Sequence, residues 1–372
     1  MLRRLSDPSQ TTPAANRILS LDVFRGGTIA AMILVNNPGT WDHIHAPFEH
    51  AEWHGWTFTD LVFPFFLWII GVSITLSFAK RIARGDGRAG LLPHVVRRSL
   101  LILALGWFLN LFPYFHFATF RIPGVLPRIA VCYLIAASIF LFTKSRGRIA
   151  WIVALLSGYW LLMKLYPVPG YGAGILEQQG NFAQYVDGLV LQGHMWVQSK
   201  TWDPEGIVST LPAIASVLFG TLAGQLLQSK RTMEEKAAWM FFLGNLLLFA
   251  GLMLSTWMPI NKKLWTSSFS VFMAGMAMVV FASCYWVIDV RKRQKWGKPL
   301  SIYGMNAIAV FALSSLMAKV LGLMKLQAPI YQNVFAPLAS PENASLLYAL
   351  ANVAFFYAIA YAMYRKKWFV RL

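Results

Sequence analysis

Long apolar runs separated by short polar segments dominate the pattern of this chain. Each run has the length of a helix that crosses about 30 Å of hydrocarbon, and the runs lack the alternation of outer-membrane barrel strands. The pattern therefore predicts an all-α polytopic membrane protein with about ten transmembrane helices. The predicted spans run roughly from Ile18 to Val35, Thr59 to Ala79, Ser99 to Phe115, Arg128 to Thr143, Ile149 to Tyr166, Ile207 to Leu227, Ala237 to Trp257, Thr266 to Ile288, Leu300 to Val320 and Ser345 to Tyr364.

Composition supports the same class. Hydrophobic residues make up 57% of the 372 residues and charged residues 13%, and the mean hydropathy is +0.53. These values lie outside the range of ordinary soluble globular domains. We expect residues 1–372 to form a single transmembrane domain with no appended soluble domain, and residues 167–205 to form an ordered cap on the non-cytoplasmic side.

Basic residues are distributed unevenly between alternate loops. One set of loops holds Arg3, Arg4, Arg17, Lys80, Arg81, Arg84, Arg88, Arg97, Arg98, Lys144, Arg146, Arg148, Lys230, Arg231, Lys236, Arg291, Lys292, Arg293, Lys295, Lys298, Arg365, Lys366, Lys367 and Arg371. The opposite set holds only Arg121, Arg128, Lys200, Lys262, Lys263 and Lys325. Because short cytoplasmic loops retain Lys and Arg, both termini are predicted to be cytoplasmic.

The formal net charge of +18 is then explained mainly by topology and by affinity for anionic lipid headgroups. Nucleic-acid binding would require one basic face with interleaved aromatic residues, and we find no such pattern. The polar N-terminal segment is not followed by a small-residue cleavage site, so the first apolar run is predicted to be a retained helix. Cys132 and Cys284 fall inside predicted spans, where we expect buried thiols rather than a disulfide.

The first hairpin contains polar residues at membrane depth, where they are costly and usually mark a site. Asp22 and Arg25 are three residues apart, so a helix places them on one face, either as an anchoring ion pair or as part of a site. Pro38 and Gly39 then break the helix after two asparagines. We favour a site role for Asn36 and ordinary capping for Asn37.

A short loop after this break is rich in histidine and tryptophan. It contains His43, His45, His50, His54, Trp41, Trp53 and Trp56. The histidine spacing matches no zinc pattern, so no metal is expected. A histidine near neutrality is a ready proton acceptor, whereas tryptophans at a membrane boundary are commonly interfacial anchors. Asp60 opens the second span, where it could cap the helix or orient a nearby imidazole.

Charged side chains also recur on the side that is poor in basic residues. Arg121 and Arg128 flank the segment RIPGVLPR, and Asp203 and Glu205 precede another span. The acidic residues fit helix capping, but the four charges together would also suit a polar or cationic ligand. Asn306 in the ninth span fits either helix packing or a cytoplasmic site.

Together these segments resemble the bacterial relatives of heparan-alpha-glucosaminide N-acetyltransferase, a family of transmembrane acyltransferases. The resemblance rests on SLDVFRG at 20–26, VNNPG at 35–39, HAEWHGWTFTDLVFPFFLWIIG at 50–71, RIPGVLPR at 121–128, DPEG at 203–206, NKKLW at 261–265 and GMN at 304–306. Relative to the animal enzyme, we expect the chain to lack the large N-terminal luminal domain. The Asn-to-His interval is slightly longer, and the resemblance fits a free or a polymeric acceptor.

The resemblance implies transfer of an acetyl group from cytoplasmic acetyl-CoA to the amine of a glucosamine-type sugar on the periplasmic side, in a dimeric protein of the bacterial inner membrane. It places the catalytic histidine at His50 and its partner asparagine at Asn36, and chemistry adds Asp60 as the group that sets the imidazole tautomer. His50 could accept the amine proton or carry the acetyl group covalently.

The remaining assignments follow the predicted topology. For acetyl-CoA, the candidates on the cytoplasmic side are Asp22, Arg25, Arg97, Arg98 and Asn306. For the sugar, the candidates on the outer side are Trp53, Trp56, Arg121, Arg128, Asp203 and Glu205. The alternative function is an amino-sugar transporter of the N-acetylglucosamine type, whose polar residues would line a passage.

Overall fold

The computed structural model describes residues 18–370, so Arg3, Arg4, Arg17 and Arg371 lie outside the described residues. Apart from two isolated β-bridges, the regular secondary structure in this part of the chain is helical. The α-helices are α1 (Leu19–Asn36), α2 (Phe58–Ala83), α3 (Leu92–Leu111), α4 (Val125–Phe142), α5 (Ser145–Leu165), α6 (Phe182–Val190), α7 (Thr210–Gln228), α8 (Met233–Leu254), α9 (Ser267–Tyr285), α10 (Lys298–Met305), α11 (Ala307–Leu323), α12 (Gln327–Ile330) and α13 (Pro341–Arg365). The prediction of an all-α polytopic membrane protein is confirmed.

Within residues 18–370, nine helices are long and apolar enough to cross a membrane, and α10 and α11 together would supply a tenth span. The ninth predicted span, Leu300 to Val320, is not one straight helix, because α10 and α11 meet at a bend of 70°. Asn306 lies at this break with φ −122° and ψ 34°, which is not helical. Its side chain accepts a hydrogen bond from the N–H of Val370 and donates one to the carbonyl of Trp368.

The third span begins earlier than predicted. Pro93 occupies the first turn of α3, where its missing N–H costs nothing, and the helix starts at Leu92 rather than Ser99. Arg97 and Arg98 consequently lie inside α3 and not in the loop before it. Long basic side chains can lie within the end of a membrane helix because their stems are apolar and their charged heads reach polar surroundings.

Helices α2 and α7 form the centre of the bundle, with 72% of the membrane window of each buried, against 22% for α5 and α8. Two glycine contacts allow close helix packing. A Cβ at Gly71 of α2 would collide with the Val217 carbonyl of α7, and one at Gly26 of α1 would collide with the Leu300 carbonyl of α10. Small residues at such contacts are typical of membrane helix interfaces. The thiols of Cys132 and Cys284 are free.

The ends of the helices that carry the His50 loop are called the outer end below, after the predicted topology. The segment 167–205 lies at this end, contains α6, and packs on the histidine loop through a small hydrophobic cluster. Trp53 and Trp202 meet edge to face at 5.3 Å, and the Trp53 indole donates a 2.8 Å hydrogen bond to the Leu176 carbonyl. The segment is therefore an ordered cap joined to the loop that carries His50.

Candidate functional site

His50 and Asp60 form the central pair of the outer end. His50 Nδ1 lies 2.6 Å from Asp60 Oδ1, and the side-chain exposure is 43% for His50 and 1% for Asp60. A carboxylate only accepts, so Nδ1 donates and Nε2 is the ring nitrogen that can take up a proton. The pair has the arrangement of a general base whose tautomer is held by a buried acid.

Asp60 also caps its own helix. Its Oδ2 atom accepts hydrogen bonds from the backbone N–H groups of Thr57 at 3.0 Å and Ala51 at 3.1 Å. The capping and orienting roles that the sequence left as alternatives are thus shared between the two oxygens of one carboxylate. The same bonds tie Ala51, the residue after His50, and Thr57 to the first turn of α2, which holds this part of the loop against the helix.

The pKa of His50 is lowered from its ordinary value. Burial is the largest cause, and the charge of Lys262 adds to it; together they outweigh Asp60, which favours the protonated ring. His50 is therefore predominantly neutral at neutral pH, as a proton acceptor must be.

The two asparagines at the end of α1 differ in their surroundings. Asn37 is buried and its amide donates a 2.8 Å hydrogen bond to the Ile33 carbonyl, so it caps α1 as predicted. Asn36 is exposed, and no hydrogen bond of its side chain occurs within residues 18–370. Its amide can face a ligand, and its role in a site stays a prediction.

The other histidines are engaged elsewhere. His43 Nδ1 lies 3.7 Å from Glu342, and His45 Nε2 lies 3.0 Å from Asn343 Oδ1, both at the start of α13. His54 Nδ1 lies 3.3 Å from the Asn261 amide. In the described part of the chain, no group of three or more His, Cys, Asp or Glu residues is placed to hold a metal ion.

The predicted outer charges form a buried ion cluster. Arg121 Nε donates to Asp203 Oδ2 at 2.8 Å, and its Nη2 donates to Asp203 Oδ1 at 2.6 Å and to Glu205. Burial alone would lower the pKa of Arg121, but Glu205 and Asp203 outweigh it and raise the value. Arg121, Asp203 and Glu205 are thus brought together, and their role in binding a sugar stays a prediction.

The two carboxylates of this cluster are not equivalent. Both carboxylate oxygens of Asp203 accept a hydrogen bond from Arg121. Each also accepts one from a backbone N–H group, Oδ2 from Trp196 and Oδ1 from Glu205. Glu205 uses only Oε2 in the hydrogen bonds of the described residues. Burial would raise the pKa of Glu205, but Arg121 and Lys262 outweigh it and lower the value, so Glu205 is charged. Asp203 therefore holds the turn, and Glu205 keeps acceptor capacity for a ligand.

Arg128 is buried at the start of α4 and bonds the Gly206 carbonyl at 3.1 Å and the Ser209 hydroxyl. Its guanidinium also lies over the Trp265 ring at 5.2 Å. Arg128 thus supports the turn that carries Glu205. Of the two predicted tryptophans, Trp53 is buried in the cap interface, and Trp56 is exposed and lies 5.3 Å from the Phe272 ring.

The backbone N–H groups of Asp203 and Ile207 both bond a buried carboxylate that sequence reasoning missed, Asp187 of α6. Burial raises the pKa of Asp187 to about 6. Lys262 was also missed as a site residue, although its occurrence on the side poor in basic residues is the same signal that singled out Arg121. Its charge acts on both His50 and Glu205.

A cavity of about 490 Å³ opens between the helices at the end of the bundle opposite the His50 loop. Its lining includes Arg25, Ser73 and Arg98, together with Tyr133 and residues on both sides of the α10–α11 break. Arg25 donates to Ser73 at 2.9 Å and lies 3.3 Å from Asp22. This volume lies in the range of small-molecule sites in proteins.

Three of the five residues predicted to bind acetyl-CoA, Asp22, Arg97 and Asn306, do not line this cavity. Arg97 is exposed on α3, and the Asn306 side chain is used by the backbone of the C-terminal segment. By contrast, the cavity lining contains buried polar atoms with no hydrogen-bond partner among residues 18–370, namely Arg98 Nε and the Tyr133 hydroxyl. A ligand with polar acceptors would satisfy both.

This arrangement defines the class: a multi-pass membrane protein with an oriented His–Asp pair at the outer end of the spans and a basic cavity at the opposite end. The profile of the family "Heparan-alpha-glucosaminide N-acetyltransferase, catalytic" matches residues 17–258, and the chain belongs to this family.

Two relatives give the extent of the similarity. The chain is 28% identical over 422 aligned positions to heparan-alpha-glucosaminide N-acetyltransferase of Mus musculus, covering 98% of this chain and 62% of that protein. It is 30% identical over 419 positions to the Homo sapiens protein of the same name, covering 96% of this chain and 60% of that one. The chain thus spans about three fifths of the length of these relatives.

Proposed function

We propose that this protein is an acetyltransferase that moves an acetyl group from cytoplasmic acetyl-CoA to the amine of a glucosamine-type sugar on the periplasmic side. The observation that carries the proposal is the His50–Asp60 pair, placed at the outer end of the helix whose inner half lines the basic cavity. Family membership supports the same reaction class.

Helix α2 gives the distances along the proposed path. At 1.5 Å per residue, Phe66 at the upper end of the cavity lining lies about 9 Å below Asp60 along the helix axis, and Ser73 about 20 Å below it. Arg25 bonds Ser73, so the Arg25 guanidinium lies at that lower level. An acetyl donor that carries its charged groups at one end and its acetyl group on a long arm suits this separation between Arg25 and the His50–Asp60 pair.

The residues of the cavity fit such a donor. Arg25 and Arg98 supply cationic groups for phosphate oxygens, and the unpartnered Tyr133 hydroxyl and Arg98 Nε supply donors for its polar acceptors. Ser73 holds the Arg25 guanidinium in place. We assign donor binding to Arg25 and Arg98, with Asp22 as the residue that orients Arg25.

At the outer end, the amine of the acceptor forms a C–N bond with the acetyl carbonyl carbon, and the C–S bond breaks with its electron pair going to sulfur. The amine proton passes to His50 Nε2, and His50 then returns it to the departing thiolate. Asp60 stabilises the imidazolium that forms in between. Asn36 supplies an amide donor to the developing oxyanion.

The acceptor is held by groups around this pair. Glu205 offers its remaining oxygen to a hydroxyl or an ammonium group, and exposed Trp56 offers a flat apolar face to a sugar ring. Arg121, Asp203 and Arg128 hold Glu205 in position. Residues 17–258, which match the family profile, include His50, Asp60 and Glu205.

The test is acetyl transfer by the purified chain in lipid nanodiscs, measured as CoA thiol release from acetyl-CoA with glucosamine. We expect activity that is lost in His50→Ala and kept in His54→Ala, a histidine of the same loop that contacts Asn261 instead. Equal inactivity of the parent and His50→Ala, with both folded, would contradict the proposal. Uptake of labelled N-acetylglucosamine into vesicles without CoA would favour the transporter.

The proposal includes the setting of the enzyme. We place it in the bacterial inner membrane as a homodimer, as the family resemblance implies. Native mass spectrometry of the protein in nanodiscs tests the subunit number and also reveals a CoA mass that stays bound. Membrane fractionation of cells that express the protein tests its location.

A further inference from the structure

Helix α6 of the cap carries a buried carboxylate on the face that packs against the rest of the outer end. Val186 and Asp187 follow Ala183 by three and four residues, so all three lie on one face of the helix. Ala183 and Val186 pack in the hydrophobic cluster that contains Trp53 of the histidine loop. Asp187 is only 1% exposed. A carboxylate buried on such a face is costly unless its oxygens are bonded, so its partners indicate its role.

Both oxygens of Asp187 bind the backbone of a single turn, residues 203–207. Oδ1 accepts a hydrogen bond from the Ile207 N–H at 3.0 Å, and Oδ2 accepts one from the Asp203 N–H at 3.2 Å. The Gly206 N–H donates to the Asp203 carbonyl at 2.9 Å and closes the turn. Asp203 and Ile207 lie two positions before and two positions after Glu205. Asp187 therefore fixes the backbone on both sides of Glu205.

Gly206 shows how closely the 203–207 turn and the Asp187 carboxylate fit together. A Cβ atom on Gly206 would collide with both oxygens of that carboxylate. The backbone of Gly206 is not in the left-handed region, so its conformation would accept alanine. The lack of space beside Asp187 is therefore what favours glycine at this position. A side chain at position 206 and a carboxylate at position 187 exclude each other.

Other anchors of the 203–207 turn come from outside the cap. Arg128 of α4 bonds the Gly206 carbonyl at 3.1 Å, and Arg121 of the loop before α4 binds the Glu205 carboxylate. Asp187 adds the contact from helix α6. The turn is thus held by the arginines on one side and by the cap helix on the other, so the direction of the Glu205 side chain depends on both.

We propose that Asp187 is a positioning residue for the acceptor: it holds the 203–207 turn so that the second carboxylate oxygen of Glu205 faces the sugar. This role rests on the proposed function. It makes the cap helix part of the acceptor site, because the carboxylate that orients the turn comes from α6 and not from a membrane span. Acetyl-CoA, which is proposed to bind at the opposite end of the bundle, should not depend on Asp187.

Hydrogen–deuterium exchange of the full chain in nanodiscs tests the contact, and steady-state kinetics tests the role. In Asp187→Ala the N–H groups of Asp203 and Ile207 lose their acceptors, so a peptide that covers 203–207 should exchange roughly fivefold faster or more. The KM for glucosamine should rise roughly tenfold, because a misdirected Glu205 weakens binding in the ground state and the transition state alike. For the same reason kcat and the KM for acetyl-CoA should stay within about twofold.

Gly206→Ala disturbs the same contact from the other side. Its methyl group collides with Asp187, so the KM for glucosamine should rise as it does in Asp187→Ala. When Asp187→Ala is already present, the collision is gone, and Gly206→Ala should change the KM by less than about twofold further. Such non-additivity is expected only if the two positions compete for the same space.

Two further variants separate positioning from folding of the cap. Asp187→Asn keeps the shape but has one acceptor oxygen, so its effect should be intermediate, and it replaces Asp187→Ala if that variant fails to fold. The matched control is Asn181→Ala. Asn181 is equally buried and caps α6 by accepting from the Gln184 N–H at 2.8 Å, but it makes no hydrogen bond to the 203–207 turn. This control should lower cap stability and leave the KM for glucosamine at the parent value.

A parent-like KM for glucosamine in both Asp187→Ala and Asp187→Asn, with both folded, would overturn the proposal. An equal rise in Asn181→Ala would also overturn it, because the effect would then come from general loosening of the cap. Unchanged exchange of the 203–207 peptide in the Asp187 variants would show that the carboxylate does not hold the turn.

Failure of this inference can be told apart from failure of the proposed function. If exchange of the 203–207 peptide rises as expected but no folded form transfers acetyl from acetyl-CoA to glucosamine, the acetyltransferase proposal is wrong, and the role of Asp187 in acceptor binding falls with it. If the parent transfers acetyl and the KM for glucosamine does not depend on Asp187, only the role of Asp187 is wrong.

Discussion

The outer end of this bundle and the opposite end both hold arginines among apolar helices, but the bonding of these arginines differs. At the outer end, Arg121 is bound by Asp203 and Glu205. In the cavity at the opposite end, Arg98 leaves Nε without a partner among the described residues. The first arrangement is a preorganised scaffold, and the second is one that a ligand would complete. Substitutions at the two ends should therefore affect different measured quantities.

The largest expected effect concerns the proton acceptor of the outer end. His50→Ala should lower kcat by about 10³-fold, because general base catalysis typically contributes 10² to 10⁴. Steady-state kinetics with acetyl-CoA and glucosamine measure this, and His54→Ala is the matched control. A His50→Ala enzyme within tenfold of the parent would show that another group takes the proton.

The next effect tests the scaffold itself. Arg121→Met should lower the free energy of unfolding by about 3 to 5 kcal/mol, because it leaves the buried charges of Asp203 and Glu205 uncompensated. Chemical denaturation in nanodiscs or mild detergent measures this. Arg98→Met is the comparison at the other end and should change stability far less, because Arg98 Nε has no partner among the described residues. Similar losses in both variants would remove the distinction between the two ends.

A smaller effect is expected on donor binding. Arg25→Met should weaken CoA binding by roughly 10- to 100-fold, which corresponds to one charge-assisted hydrogen bond of about 1.5 to 3 kcal/mol. Isothermal titration calorimetry of CoA into the nanodisc sample measures this. Arg97→Met is the matched control, because Arg97 is exposed on α3 and does not line the cavity. Equal weakening in both would place the donor outside the cavity.

The smallest effect is one of pH. Because burial and Lys262 lower the pKa of His50, the acid limb of kcat/KM should have its midpoint below the ordinary histidine value of about 6.5. Activity must fall as the pH falls through the pKa of His50, because protonated His50 cannot accept the amine proton. A limb centred above pH 6.5 would mean that Asp60 outweighs burial and Lys262.

Span positions could be read from the sequence because hydrocarbon accepts only backbone that is satisfied by its own helix, so each apolar run must be helical over the membrane thickness. The break between α10 and α11 at Asn306 could not be read from the sequence. It depends on the C-terminal segment, whose backbone at Trp368 and Val370 occupies the Asn306 amide from more than sixty residues away. A local pattern contains no information on such a partner.

For the candidate site too, one part could be predicted from the sequence and another part could not. The residues that carry charge at membrane depth could be named from the sequence, because polar groups there are costly and rarely incidental. The two acidic residues of DPEG, however, both carry a carboxylate and lie two positions apart, so the sequence does not tell their roles apart. Only the turn geometry makes Asp203 a saturated anchor and leaves Glu205 an oxygen for a ligand.

The sequence by itself thus determined the class of protein, the approximate spans and the set of polar residues that apolar helices would not otherwise carry. The tertiary structure decided which of these residues meet: His50 with Asp60 across a loop, and Arg121 with two carboxylates of a distant turn. The physical reason is that hydrophobicity acts along the chain through helix period and length. Hydrogen bonds and ion pairs instead depend on distances of a few ångströms between segments far apart in sequence.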